Sequence, residues 1–149
     1  MRIVVQRVDS VKVVVVDEIV GEISKGLFVL FGAGRDDTKE DAKYLSEKLY
    51  KLRIMADENG KMNLSITDTQ SAILVVSQFT LYADTKDGNR PSFIKAMNPK
   101  VAEGLYHHFV ELLKKKNINV QTGKFGEYMK ISVELDGPVT IVMDSEDRK

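Results

Sequence analysis

The chain has 149 residues, 22 Lys plus Arg against 22 Asp plus Glu, 43% hydrophobic residues and neither Cys nor Trp. A chain of this length fits one domain that removes about 70% of its unfolded surface from water and so needs no disulfide or metal to stay folded. Without cysteine there is no thiolate nucleophile, iron–sulfur cluster or Cys-ligated zinc site, and zero formal charge argues against a protein that grips nucleic acid through many phosphate contacts.

The opening apolar run is broken by Gln6-Arg7, well short of an export signal or a membrane span. Residues 3–8 alternate as a half-buried strand does, and after Asp9-Ser10 the β-branched run 11–16 predicts a second strand. Asp17-Glu18 turns it into residues 19–23, a hairpin whose turn lacks the favoured glycine. The continuous apolar run 27–31 between Gly26 and Gly32 predicts a central strand covered on both faces. Asp36-Asp37-Thr38 supplies N-cap chemistry for a helix that carries Ala42, Leu45, Leu49 and Leu52 on one face. Asp57-Glu58-Asn59-Gly60 is a turn, residues 72–76 are another buried strand running into Ser77-Gln78-Phe79-Thr80-Leu81, and residues 84–91 are a loop. Asn98-Pro99 starts a second helix, with Asn as N-cap and Pro at the first position. Its stripe Val101, Ala102, Leu105, Phe109, Leu112 and Leu113 ends at Lys114-Lys115-Lys116-Asn117. Strands are expected over 118–121, 128–135 and 139–143, the last two parted by Asp136-Gly137-Pro138. The sum is α/β: a single compact domain over 1–149 with mixed β-sheets and helices covering one side, in β/β/α layers. The uncovered side needs a second sheet or a partner subunit.

Little of the usual chemistry is present. Gly32-Ala33-Gly34 after a buried strand lacks the third glycine of a dinucleotide loop and is followed by no Gly-Lys-Ser/Thr, so a plain strand-to-helix turn is expected. His107 and His108, the only histidines, are adjacent on a helix and point about 100° apart, so they cannot chelate one metal. The acidic pairs sit in turn sequence, where capping and solvation account for them, and Lys114, Lys115 and Lys116 complement a helix C-terminus or touch a phosphate backbone. No metal or cofactor is expected. Two stretches stand out: Ser77-Gln78-Phe79-Thr80-Leu81, where a buried strand turns polar either as a pocket lining or as an alternating edge, and Asp136-Gly137-Pro138-Val139-Thr140.

Together these two stretches resemble the signature motifs of the D-aminoacyl-tRNA deacylases, enzymes that remove D-amino acids wrongly esterified to tRNA. The likeness extends through Gln6-Arg7-Val8, Gly60-Lys61-Met62-Asn63-Leu64, Arg90-Pro91-Ser92-Phe93, and Gln121-Thr122-Gly123-Lys124-Phe125-Gly126 leading to Met129. One position departs: Leu135 stands where members often carry Asn two residues before Gly-Pro. The resemblance implies a cytoplasmic homodimer acting on the 3′ end of aminoacyl-tRNA, with no membrane or DNA partner. It further implies a cis Gly137-Pro138 peptide that reaches into the partner subunit's pocket.

An aminoacyl ester is activated, so its hydrolysis needs a placed water and oxyanion donors more than a powerful nucleophile. The expected catalytic residues are Ser77, Gln78, Phe79 and Thr80: backbone N–H groups around Phe79 and Thr80 receive the oxyanion, while Ser77 and Gln78 orient the ester. Thr80 is a nucleophile only if a base activates it, and none is adjacent in sequence; the ribose 2′-hydroxyl is the alternative helper of the attacking water. Gly137 and Pro138 carbonyls would hold the α-amino group and reject L side chains but not glycine. Phe79 and Met129 are candidates to pack the terminal adenosine, and Arg7 to brace the Gly-Pro segment. Two other readings stay open, a non-catalytic RNA-end-binding module of the same fold and a small esterase in which His107 or His108 activates Thr80 or Ser77.

Overall fold

The computed structural model describes residues 1–148. Its framework is β1 (Arg2–Val15), a strand of 14 residues that changes neighbour along its length. On one edge, residues 2–8 pair antiparallel with β3 (Gly26–Gly32) and residues 11–15 with β2 (Glu18–Ile23). On the other edge β8 (Lys130–Asp144) runs antiparallel to both halves. β6 (Ala72–Ser77) lies parallel to β3, and β7 (Val120–Thr122) parallel to β6, which completes a six-stranded mixed sheet in the order β2-β1-β3-β6-β7 with β8 on β1. Parallel neighbours need long crossovers. The first holds α1 (Lys39–Lys51), the hairpin of β4 (Met55–Ala56) and β5 (Met62–Leu64), and the short α2 (Ile66–Thr69); the second holds a 3-10 turn, Phe79–Tyr82, and α3 (Pro99–Lys114).

The helix starts are those the sequence predicts. Thr38 caps α1, and the Asp41 carboxylate reaches back to the Thr38 N–H and hydroxyl at 2.8 and 2.9 Å. Burial works against the Asp41 charge, but these bonds, a Ser145 hydroxyl and the Arg148 guanidinium outweigh it and hold the carboxyl below the usual range. Asn98 caps α3 by accepting from the Lys100 N–H at 3.1 Å, with Pro99 in the first turn.

Four expectations are corrected. Residues 3–8 and 11–16 are not two strands: Val8 pairs with Leu135 and Ser10 with Glu134, so Asp9 is an extra residue, a bulge inside β1. The bulge reverses the parity of the strand. Ile3 and Val5 face one side of the sheet, and beyond it Val11 and Val13 join Val8 on the other. The hairpin turn falls at Val16-Asp17, one residue earlier than expected, with φ of 47° and 65°. Likewise Asp136-Gly137-Pro138 does not separate strands; β8 continues through it and begins at Lys130, after an exposed Tyr128. Finally Val101 lies outside the buried face of α3, which is made by Leu105, Tyr106, Phe109, Val110 and Leu113.

The expectation of helices on one side of a mixed sheet is borne out. Ile3, Val5, Leu27, Val29, Phe31, Ile73 and Val75 meet Ala42, Leu45 and Leu49 of α1 and the buried face of α3. Each fully buried side chain of this size contributes about 1.5–3 kcal/mol. On the opposite face Val8, Val11, Val13, Ile23, Phe28, Leu74 and Val76 form a second cluster. The sheet covers this cluster itself by curling until β2 approaches β7, so closely that a Cβ on Gly21 would stand 2.3 Å from the Thr122 carbonyl oxygen.

Candidate active site

Two parallel strands, β3 and β6, end side by side at Phe31 and Ser77, which pair in the ladder. The carboxyl ends of such strands are where open α/β sheets leave a crevice, because the chain departs there in different directions. Here the chain beyond β6 folds into the 3-10 turn and the chain beyond β3 runs toward α1. Between them lies a cavity of about 570 Å³. Phe31, Ala33, Ser77 and Phe79 line its strand side. Phe93, Ala96, Met97 and Asn98 come from the segment before α3, Pro99 and Ala102 from its first turns, and Phe125 and Gly126 from the loop after β7. The lining is largely apolar and aromatic.

Of the polar strand end, Ser77 and Phe79 are pocket wall while Gln78 and Thr80 do not line the cavity; β6 is an interior strand, so the alternating-edge reading falls. Gln78 starts the turn with its N–H on the Phe31 carbonyl at 2.6 Å, while Leu81 and Ala83 donate back to Gln78 and Thr80. The leading N–H groups of a helical turn have no partner within it. Those of Phe79 and Thr80 meet no acceptor among the described residues. The Gln78 side-chain amide donates to the Thr80 hydroxyl at 2.5 Å, and the Phe79 ring meets Phe93 edge-on at 5.0 Å.

No base reaches this hydroxyl. His107 is exposed, 3.7 Å from Glu103, and neither His107 nor His108 lines the cavity. Among the described residues no cluster of His, Cys, Asp and Glu suits a metal ion. Gly32-Ala33-Gly34 is not itself the turn: Gly32 ends β3, Gly34 bridges Ala96 with its N–H on the Asp37 carboxylate, and the strand-to-helix turn falls at Arg35-Asp36.

The remaining candidates lie elsewhere. Met129 packs with the second core cluster, its sulfur so near Gly123 that a Cβ there would stand 2.7 Å away; it does not line the cavity with Phe79. Gly137 and Pro138 are exposed, joined by a cis peptide, and also line no part of this chain's cavity. They project because Gln6 pairs with Thr140 and Val8 with Leu135, so Arg7 alone faces the four residues 136–139. Arg7 holds the root of this bulge: its guanidinium donates to the Asp136 carbonyl at 3.2 Å, pairs with the Asp136 carboxylate at 3.0 Å and donates to the Ile54 carbonyl at 2.9 Å.

Sequence reading missed most of the wall opposite the turn. Phe93 and Phe125 stand in family-like stretches without a role assigned, Ala102 is read only as part of an apolar helix stripe, and Ala96 carries no signal at all. It also missed Asp84, whose bonds to the Lys95 ammonium and the Lys86 N–H hold its carboxyl below the usual range and whose backbone pairs with Ser92. That clip closes the 84–92 loop and delivers Phe93 to the cavity.

A family model described as D-Tyr-tRNA(Tyr) deacylase matches residues 4–144. Curated relatives named D-aminoacyl-tRNA deacylase include one from Thermosipho africanus, 52% identical over 98% of both chains, and one from Bacillus pumilus, 52% identical over 99% of this chain and all of its own. Among solved structures, one titled c-Myc DNA Unwinding Element Binding Protein is 40% identical with a TM-score of 0.91, covering 97% of this chain and 98% of its own. Another, titled as a probable eukaryotic D-amino acid tRNA deacylase, has a TM-score of 0.82 over 96% and 98%; at 22% identity it speaks to the fold alone. Identity above one half, sustained from end to end, leaves no part of the fold or cavity outside the comparison, and the chain belongs to the D-aminoacyl-tRNA deacylase family of hydrolases.

Proposed function

We propose that this protein hydrolyses the ester of D-aminoacyl-tRNA, and of glycyl-tRNA, to free amino acid and tRNA. The observation that carries this reading is the pair of unpartnered N–H groups of Phe79 and Thr80 beside an apolar cavity at the ends of β3 and β6. Donors fixed before the reaction stabilise a developing oxyanion without reorganising. The aromatic walls suit the terminal adenine, with Phe79 and Phe93 offering ring faces and edges. Met129 supports this base only through the loop that also carries Phe125.

Thr80 is held by an amide, which cannot take its proton, so the favoured nucleophile is water. The ester's own ribose 2′-hydroxyl assists that water. The carbonyls of Gly137 and Pro138 act in a second copy of the chain: they are exposed and outside their own cavity, so they reach an ester only across a homodimer. There they hold the α-amino group, leave no room for an L side chain and accept glycine. Arg7 keeps the bulge in place for this task. We place the enzyme in the cytoplasm with no membrane or DNA partner; among the described residues no helix is long and apolar enough to cross a membrane. The test is single-turnover hydrolysis of matched D- and L-tyrosyl-tRNA. Hydrolysis of the D ester alone is expected, and equal rates would sink the clamp.

A further inference from the structure

The apolar cavity has two walls that the chain builds separately. One is the end of β6 and the start of the 3-10 turn, where Ser77 and Phe79 line the cavity and Thr80 follows outside it. The other is the segment 93–97, which the end of β3 holds through Met97 N–H to the Ala33 carbonyl and Arg35 N–H to the Lys95 carbonyl, each at 3.0 Å. Behind them, outside the cavity, one carboxylate joins the turn to Gly34, which bridges Ala96 of the second wall. Asp37 Oδ2 accepts the Gly34 N–H at 2.5 Å, on the side of the second wall, and the Tyr82 hydroxyl at 3.1 Å, from the last residue of the turn.

We propose that Asp37 and Tyr82 are positioning residues that fix the separation of the two cavity walls and so aim the Phe79 and Thr80 N–H groups. The contacts around the pair leave Tyr82 little freedom. Its ring lies on Gly34, where a Cβ would come within 2.6 Å of it. The Arg2 guanidinium sits 4.8 Å from the ring centroid and donates to the Leu81 carbonyl at 3.2 Å. Burial, reinforced by the Asp37 charge, pushes the Tyr82 phenol far above its usual range, so it remains a donor at every working pH. Neither residue lines the apolar cavity, so neither touches the ester. Their effect passes through the turn, and a displacement of about 1 Å at a reacting centre is enough to cost about a hundredfold in rate.

This inference rests on the reading of the cavity as the deacylation site, and its test separates the two. Tyr82→Phe removes only the hydroxyl and keeps the ring on Gly34. Its single-turnover rate on D-tyrosyl-tRNA should fall about tenfold with KM changed less than about twofold, as befits loss of an alignment felt in the transition state. Tyr106→Phe is the contrast: it deletes a buried hydroxyl that donates to the Val75 carbonyl at 2.8 Å in the core, and should lower the melting temperature while sparing the rate. Nitrogen-15 NMR of uniformly labelled protein gives a readout independent of activity, since the Phe79 and Thr80 backbone N–H resonances should shift in Tyr82→Phe and not in Tyr106→Phe. Wild-type rate, a loss confined to KM, or unmoved resonances would overturn the proposal. Should Tyr82→Phe fail to fold, Asp37→Asn, which also weakens the pair of Asp37 Oδ1 with the Met1 ammonium at 2.5 Å, is read by the same rate and resonance criteria. A wild-type protein inert on D-tyrosyl-tRNA removes the deacylation reading, while the resonances still decide whether the pair sets the walls.

Discussion

Thr80 shows how a residue's neighbours decide its chemistry. A threonine hydroxyl at neutral pH is a poor nucleophile, and its sole hydrogen-bond partner among the described residues is an amide that donates to it. Thr80→Ala should therefore keep single-turnover deacylation within about tenfold of wild type, because the backbone N–H groups at this turn survive the change. Complete loss in a folded variant would restore the covalent reading. Arg7 makes the opposite point. Its residue type, an arginine inside a strand, reads equally as a surface ion pair; only the bulge opposite it turns the side chain into the brace of Asp136.

At the scale of elements, the hairpin between β1 and β2 departs from what local preference would choose. Both central residues take positive φ, as the twist-matched two-residue turn requires, yet they are Val16 and Asp17. A β-branched residue in this region is strained by about 1–2 kcal/mol, and Val16 is 86% exposed, so no packing offsets it. Replacing the pair by Asn-Gly (Val16→Asn with Asp17→Gly) should raise stability by about 0.5–1 kcal/mol, read as a higher urea midpoint at unchanged slope. No gain would show that the turn is fixed by contacts outside the hairpin. The same local sequence explains why the turn was expected one residue late: Asp17-Glu18 is the more polar dipeptide, but the register is set by Val15 pairing with Glu18.

For the whole molecule the open question is the exposed side of β8. Its 15 residues are mostly exposed, among the described residues only β1 pairs with it, and Val133, Leu135 and Val142 present apolar side chains to solvent. An unprotected strand with apolar side chains invites pairing. Under the proposed homodimer, sedimentation equilibrium gives twice the mass of one chain, and Leu135→Asp weakens association by about tenfold or more. Deacylation should fall with it if, as proposed, the Gly137 and Pro138 carbonyls act in trans. A monomer that deacylates at full rate would contradict the arrangement. Charge balance belongs to the same scale: 22 positive against 22 negative residues suit an enzyme that holds the end of its substrate rather than its phosphate backbone.

Local pattern by itself determined much of this protein. The buried runs became β3 and β6, Thr38 and Asn98 became caps, and apolar spacing of three and four became the buried faces of α1 and α3, because each of these depends on residues a turn or less apart. The motif from Ser77 to Thr80 marked one wall of the cavity through Ser77 and Phe79, for the same reason. What lay beyond reach was whatever depends on register between distant strands. Asp9-Ser10 and Asp136-Gly137-Pro138 look like breaks when read along the chain, yet both are bulges, since β1 and β8 pair on either side of them and the ladder continues. The opposite wall, from Phe93 to Phe125, and the Asp37–Tyr82 tie behind the cavity join residues dozens of positions apart. Only the folded sheet brings them within bonding distance, and so only the tertiary structure decides the shape in which an ester would be held.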